Sequence, residues 1–183
     1  MYSKVHAGSM PIGGCDAMMY GIACSLRPAP RSKRFNQRYE ERGKTVAYDT
    51  NNIFAKILRG EAPCVRVYED DKTLVFMDLM PQADGHLLVI PKEPAVNLID
   101  LSEEAAEACI RTTKRMVIAV RKALNVDGVH VAQLNGAAAG QSVPHCHFHV
   151  IPHNTGTVWR PHAAVMADQA DLQAMAERIK AAL

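Results

Sequence analysis

No stretch of the sequence stays apolar for long enough to span a bilayer, so a transmembrane helix and a membrane partner are not expected. Charge of one sign is also scarce. The net charge is only +2, too small to gather nucleic acid through bulk electrostatics. The sequence lacks a disulfide framework, because its five cysteines (Cys15, Cys24, Cys64, Cys109 and Cys146) are odd in number and widely spaced. That pattern fits free thiols in a reducing compartment, and a cytoplasmic protein is expected. A signal peptide is not expected either, since Asp16 interrupts the best apolar candidate. Internal repeats are missing. What remains is a chain of 183 residues with an ordinary apolar fraction, long enough for one domain with its own core.

Residues 1–45 differ from the rest. Met1 to Ser25 carries glycine, methionine and small residues without periodicity, and Arg27 to Lys44 is basic with prolines at 28 and 30. This reads as a disordered N-terminal extension ahead of a domain over 46–183, with translation expected to begin near Val46.

From Asn51 the chain becomes regular. Asn51 or Asn52 caps a short helix through Leu58, stopped by Gly60 and Pro63, with Ile53, Phe54 and Ile57 on one face. Val65–Glu69 and Thr73–Asp78 read as a hairpin across Asp70-Asp71, and His86–Pro91 as a third strand. Ser102 caps a long helix to Leu124 that turns Ala105, Cys109, Met116, Val120 and Leu124 inward. Gly128–Leu134 is a fourth strand, and a final helix starts at Asp168 or Asp171 and runs to Leu183. The expected fold is α+β, a mostly antiparallel five-stranded sheet with its helices on one side.

The fifth strand carries the chemistry. In Gln141-Ser142-Val143-Pro144-His145-Cys146-His147-Phe148-His149-Val150-Ile151-Pro152, histidine alternates with apolar residues. Strand side chains alternate with period two, so His145, His147 and His149 are expected on one face, with Cys146, Phe148 and Val150 buried on the other. At about 3.3 Å per residue, His145 and His149 lie roughly 13 Å apart. With zinc–nitrogen bonds of about 2.0–2.1 Å, one ion does not easily collect all three, although two of them plus an outside ligand would suffice. The other chemistry is nucleophilic: a neutral imidazole attacks while its neighbours orient it and stabilise charge. His147, flanked on both sides, is the expected nucleophile. A row of structural, satisfied histidines is the plain alternative.

The preceding loop, Asn135-Gly136-Ala137-Ala138-Ala139-Gly140-Gln141-Ser142, suggests the electrophile. Glycines permit close backbone approach, so Gly136 and Gly140 are expected to aim N–H groups at an anion, with Asn135, Gln141 and Ser142 as side-chain donors. Imidazole beside an anion cradle points to attack at phosphorus.

His145-Cys146-His147-Phe148-His149-Val150-Ile151 resembles the signature of the histidine triad (HIT) superfamily of nucleotide hydrolases and transferases. Asn52 to Pro63, Phe76 to Ala83 and Gly85 to Lys92 resemble its opening helix and central strands. The likeness covers 53–152 and is nearest the Hint branch, the purine nucleoside phosphoramidase type. It implies attack at the α-phosphate of a purine nucleotide conjugate through a nucleotidyl-histidine, releasing a nucleoside monophosphate. The alternatives are a dinucleoside polyphosphate hydrolase and a nucleotide-binding regulatory module. It also implies that Asp78 holds the ribose, that Ile53, Phe54, Ile57, Phe76 and Leu79 wall the nucleobase, and that His86 joins the catalytic histidines. A homodimer with the long helix at or near the interface is implied, and no cofactor. Some relatives bind zinc through a Cys-x-x-Cys whose positions here are Asn52 and Ala55, so no metal is expected. His130, His153 and His162 match no role and read as structural, while Trp159 and Gly156–Val165 are expected to form a rim of a dimer or substrate site.

Overall fold

A computed structural model describes residues 47–183; the expected extension, and the boundary at Val46, lie outside the described residues. Helix α1 (Ile53–Leu58) begins because the Asn52 side chain accepts the Ala55 N–H at 2.9 Å, replacing a partner that the first turn lacks. Strands β1 (Arg66–Glu69) and β2 (Thr73–Met77) form the expected hairpin. Its turn is held by Asp70, whose carboxylate accepts the N–H groups of Lys72 at 2.9 Å and Thr73 at 2.7 Å. Strand β3 (Leu87–Pro91) follows. Helix α2 (Glu103–Leu124) is capped by Ser102 and closed by Asn125 in the left-handed conformation at φ 51°. Strands β4 (Gly128–Gln133) and β5 (Phe148–His153) flank a short 3-10 turn at Ala137–Ala139. Asp168 caps the last helix, α3 (Gln169–Lys180), which ends short of Leu183.

The sheet runs β1-β2-β3-β5-β4 with every pairing antiparallel. Alternation along its strands divides the interior into two clusters. Val75, Met77, Leu87, Val89, Phe148 and Val150 face the main core with Cys109, Met116 and Val120 of α2 and Leu172 and Ile179 of α3. Leu74, Phe76, Leu88 and Ile90 face the other way, where they meet Phe54 and Ile57. The expectation of helices on one side therefore holds for α2 and α3 only. Helix α1 covers the opposite face, because a sheet with an apolar residue at nearly every central position must be buried on both sides.

The turn entering β3 is tightly fitted. Gly85 adopts φ +88°, and a Cβ there would collide with Leu124 at the end of α2 and press on Pro152 of β5. Only glycine meets both demands.

Candidate active site

The histidines do not form the row expected of a regular strand. Strand β5 begins only at Phe148, and Val143, Pro144 and His145 lie in a bend before it. Pro144 lacks an N–H and restrains its predecessor, and the next free amide, Cys146 N–H, bonds to the Ala95 carbonyl at 2.8 Å instead of joining the ladder. His145 is consequently tucked behind the site. His147 and His149 still reach a common cavity, lined on its apolar side by Ile53, Phe54, Ile57, Phe76 and Leu79 and on its polar side by Asp78, Ser142 and His162. The three histidines are also withdrawn from solvent, being 0%, 3% and 4% exposed in chain order.

Hydrogen bonding fixes the ring tautomers, because a carbonyl oxygen only accepts. His147 Nδ1 lies 2.6 Å from the His145 carbonyl, so Nδ1 carries the proton and the neutral ring keeps its lone pair on Nε2. Burial lowers the pKa of His147, against the opposing pull of that hydrogen bond and of Asp78; the ring is neutral at neutral pH. The edge of Phe54 packs against its face, with ring centroids 5.2 Å apart.

His149 is the second ring at the cavity. Its Nδ1 lies 3.0 Å from His86 Nε2, and His86 Nδ1 in turn receives the Gln82 N–H at 3.2 Å. That order makes His86 Nε2–H the donor and leaves His149 with its proton on Nε2. This atom is buried and has no partner among the described residues. A buried donor without an acceptor is costly, and here it sits on a ring that lines the cavity. Burial holds His149 at about 3 and His86 at about 4, although Asp78 Oδ2, 3.3 Å from His86 Nδ1, works to raise the latter. Asp78, His86 and His149 offer ligand atoms within 4.8 Å of one another. His86 is already hydrogen-bonded to Gln82 and His149, with the Asp78 carboxylate beside it, an arrangement suited to holding protons in place.

Two expected phosphate donors are elsewhere. The Gln141 side chain is spent holding the loop: its Oε1 accepts the Gly136 N–H at 2.7 Å, and its Nε2 donates to the carbonyls of Val96 at 2.6 Å and Val143 at 3.0 Å. Asn135 Oδ1 accepts the Leu98 N–H and its Nδ2 donates to Gln133, outside the cavity. The glycine amides are not aimed at an anion either. Gly136 N–H goes to Gln141 and Gly140 N–H to Ala137, and the two positive φ values, 89° and 95°, serve the turn itself. Ser142 is the loop's side chain at the cavity.

Sequence reasoning also missed residues. His162, read as structural, lines the cavity with its ring centroid 5.7 Å from that of His149. It is brought there by an irregular segment pinned to the loop after β2 through Arg160 N–H to Gln82 O and Ala167 N–H to Leu79 O. Of the segment expected to form a rim, His162 and Ala163 line this cavity, while Trp159 packs between His130 and His153 beside a separate cleft. Tyr48 belongs to no motif of the sequence, yet its hydroxyl lies 2.5 Å from His145 Nδ1.

An antiparallel five-stranded sheet that delivers two neutral histidines to an apolar cavity defines a class of protein, and comparison with known sequences names it. The HIT domain family profile matches residues 59–156, and the chain belongs to that family. It is a HIT-family hydrolase. The crystal structure of a Hit-like protein involved in cell-cycle regulation from Bartonella henselae is similar, at 47% identity and a TM-score of 0.73 over 75% of this chain and 100% of that one. The adenosine 5'-monophosphoramidase of Schizosaccharomyces pombe is 42% identical over 55% of this chain and 72% of its own. A zinc-bound histidine triad protein from Mycobacterium smegmatis is 34% identical, with a TM-score of 0.64 over 73% and 93% of the two chains.

Proposed function

We propose that the protein hydrolyses a purine nucleotide conjugate, of the nucleoside phosphoramidate type, at its α-phosphorus. Bare Nε2 of His147 attacks phosphorus while the bond to the leaving group breaks. The departing atom takes its proton from solvent, and His149 Nε2–H, which stays neutral, hydrogen-bonds that atom as it leaves. Water then cleaves the nucleotidyl-histidine and releases a nucleoside monophosphate. Positioning and charge stabilisation carry most of such a reaction, and Ser142 is the side chain offered to the phosphate oxygens. Ile53, Phe54, Ile57, Phe76 and Leu79 flank the base, and Asp78 accepts from the ribose hydroxyls.

The observation that carries this reading is the 2.6 Å bond from His147 Nδ1 to the His145 carbonyl, which leaves the attacking nitrogen unprotonated in an apolar cavity. The relative named adenosine 5'-monophosphoramidase supports the substrate class. The test is brief incubation with a panel of nucleotide conjugates, diadenosine tetraphosphate included, followed by mass spectrometry. A nucleotidyl adduct on His147 from the AMP–amine conjugate is expected. His147→Ala abolishes turnover but still binds AMP, and unchanged hydrolysis by that variant refutes the assignment.

The same proposal includes a homodimer in a reducing compartment. Strand β4 is a sheet edge with Val131 exposed, and Ile110 and Ile118 stand exposed on α2; such an edge invites pairing with another copy. Among the described residues, Cys64, Cys109 and Cys146 are unbridged. Light scattering at the monomer mass contradicts the dimer.

A further inference from the structure

The two signature histidines at the cavity leave the third ring of the signature without a task, and that ring is held at both of its nitrogens. His145 is fully buried and bonded at both nitrogens. Its Nε2 faces the Pro91 carbonyl at 3.0 Å, which can only accept, so Nε2 carries the proton and Nδ1 is bare. Tyr48 Oη, 2.5 Å from that bare nitrogen, must then be the donor. The edge of the Tyr48 ring meets the imidazole at a centroid separation of 5.5 Å, and Phe54 closes another side at 6.1 Å. Among the described residues the groups facing this ring are therefore the Tyr48 hydroxyl, the Pro91 carbonyl, the Phe54 edge and His147, with no carboxylate against it.

We infer that Tyr48 is a positioning residue for the nucleophile. Its hydroxyl holds His145 in the neutral Nε2–H tautomer, and the ring so clamped fixes the backbone carbonyl that accepts His147 Nδ1–H. The chain of consequence is short. Tyr48 Oη–H and Pro91 C=O immobilise the imidazole, the imidazole immobilises its own peptide, and that peptide decides which nitrogen of His147 is free to attack. Tyr48 does not line the cavity, and its hydroxyl bonds to His145, through which it acts. A hydroxyl that donates to Nδ1 also opposes protonation there, because the cation has no lone pair left to accept. Losing it favours a charged His145 directly behind the nucleophile, where positive charge discourages the nucleotidyl-histidine cation.

This inference rests on the reading of His147 as nucleophile, and part of its test needs no substrate. In the wild type, ring nitrogen resonances of isotopically labelled protein place the proton on Nε2 of His145 and on Nδ1 of His147; the opposite tautomer on either ring overturns the assignment. In Tyr48→Phe, which keeps the ring and removes only the oxygen, the His145 titration moves to higher pH. With an AMP–amine conjugate, kcat falls by about tenfold or more, as expected when a reacting group loses its orientation, while AMP affinity is retained. The acid limb of the kcat profile moves up by about half a pH unit or more. A Phe variant with wild-type kcat and acid limb, or an unmoved His145 titration, refutes it. Absence of turnover of any conjugate by the wild type sinks the proposed chemistry and leaves the two ring measurements to decide Tyr48.

Discussion

Acidification tests the buried imidazoles most directly. His86 and His145 are held at about 4 and His149 at about 3, against about 6.5 for the same side chain in an unfolded chain. Desolvation is the first cause in all three. As the pH falls, the unfolded chain takes up these protons before the folded one does. The stability is therefore fully present above about pH 6.5 and is lost as the pH falls toward the folded values. Between pH 7 and pH 5 each ring contributes a loss of about 2 kcal/mol, and the three together about 6 kcal/mol. A typical domain has only about 5–15 kcal/mol in all, so acid unfolding is expected near pH 5, before most carboxylates titrate. Urea unfolding at pH 5, 6 and 7, extrapolated to water, measures this. A change smaller than about 1 kcal/mol across that interval would mean that the rings are not held buried and neutral, and the tautomer argument would fall with it.

Gly85→Ala combines a positive φ with a collision against Leu124, and urea denaturation should show a loss of about 2–4 kcal/mol. Gln141→Ala strands the Gly136 amide and two carbonyls, with an expected loss of about 2–3 kcal/mol on thermal unfolding. A loss of phosphate affinity at unchanged stability would instead return Gln141 to the binding site. Phe54→Ala opens a void beside Phe76, His145 and His147; calorimetry should show about 3 kcal/mol of destabilisation and AMP titration a loss of at least about tenfold in affinity.

Much of the frame was legible because local chemistry states it. Asn52, Ser102 and Asp168 each cap the helix that follows them, and the near-continuous apolar runs of Thr73–Met77 and Leu87–Pro91 mark strands whose two faces are both covered. The order of motifs pointed to the family. Less legible was whatever depends on long-range pairing. Periodicity placed His145 on a strand, but Pro144 and the distant Ala95 carbonyl take that stretch out of the ladder. Glycines read as an anion cradle serve a turn whose amides are consumed locally, and the amide side chain of Gln141 looks identical in sequence whether it binds a ligand or a backbone. Tyr48 gives no sequence signal, since its partner lies 97 positions away. His162 reaches the cavity through an irregular segment that periodicity does not describe.

The division of the sheet into two apolar clusters separates endurance from selectivity. Cys109, Met116, Val120, Leu172 and Ile179 secure the molecule from one side, whereas Ile53 and Ile57, on a helix of six residues, border the ligand cavity on the other. Under the proposed function, exchanging those two side chains would retune which base is accepted while the far cluster continues to hold the chain together, so a lineage can explore new substrates without risking collapse.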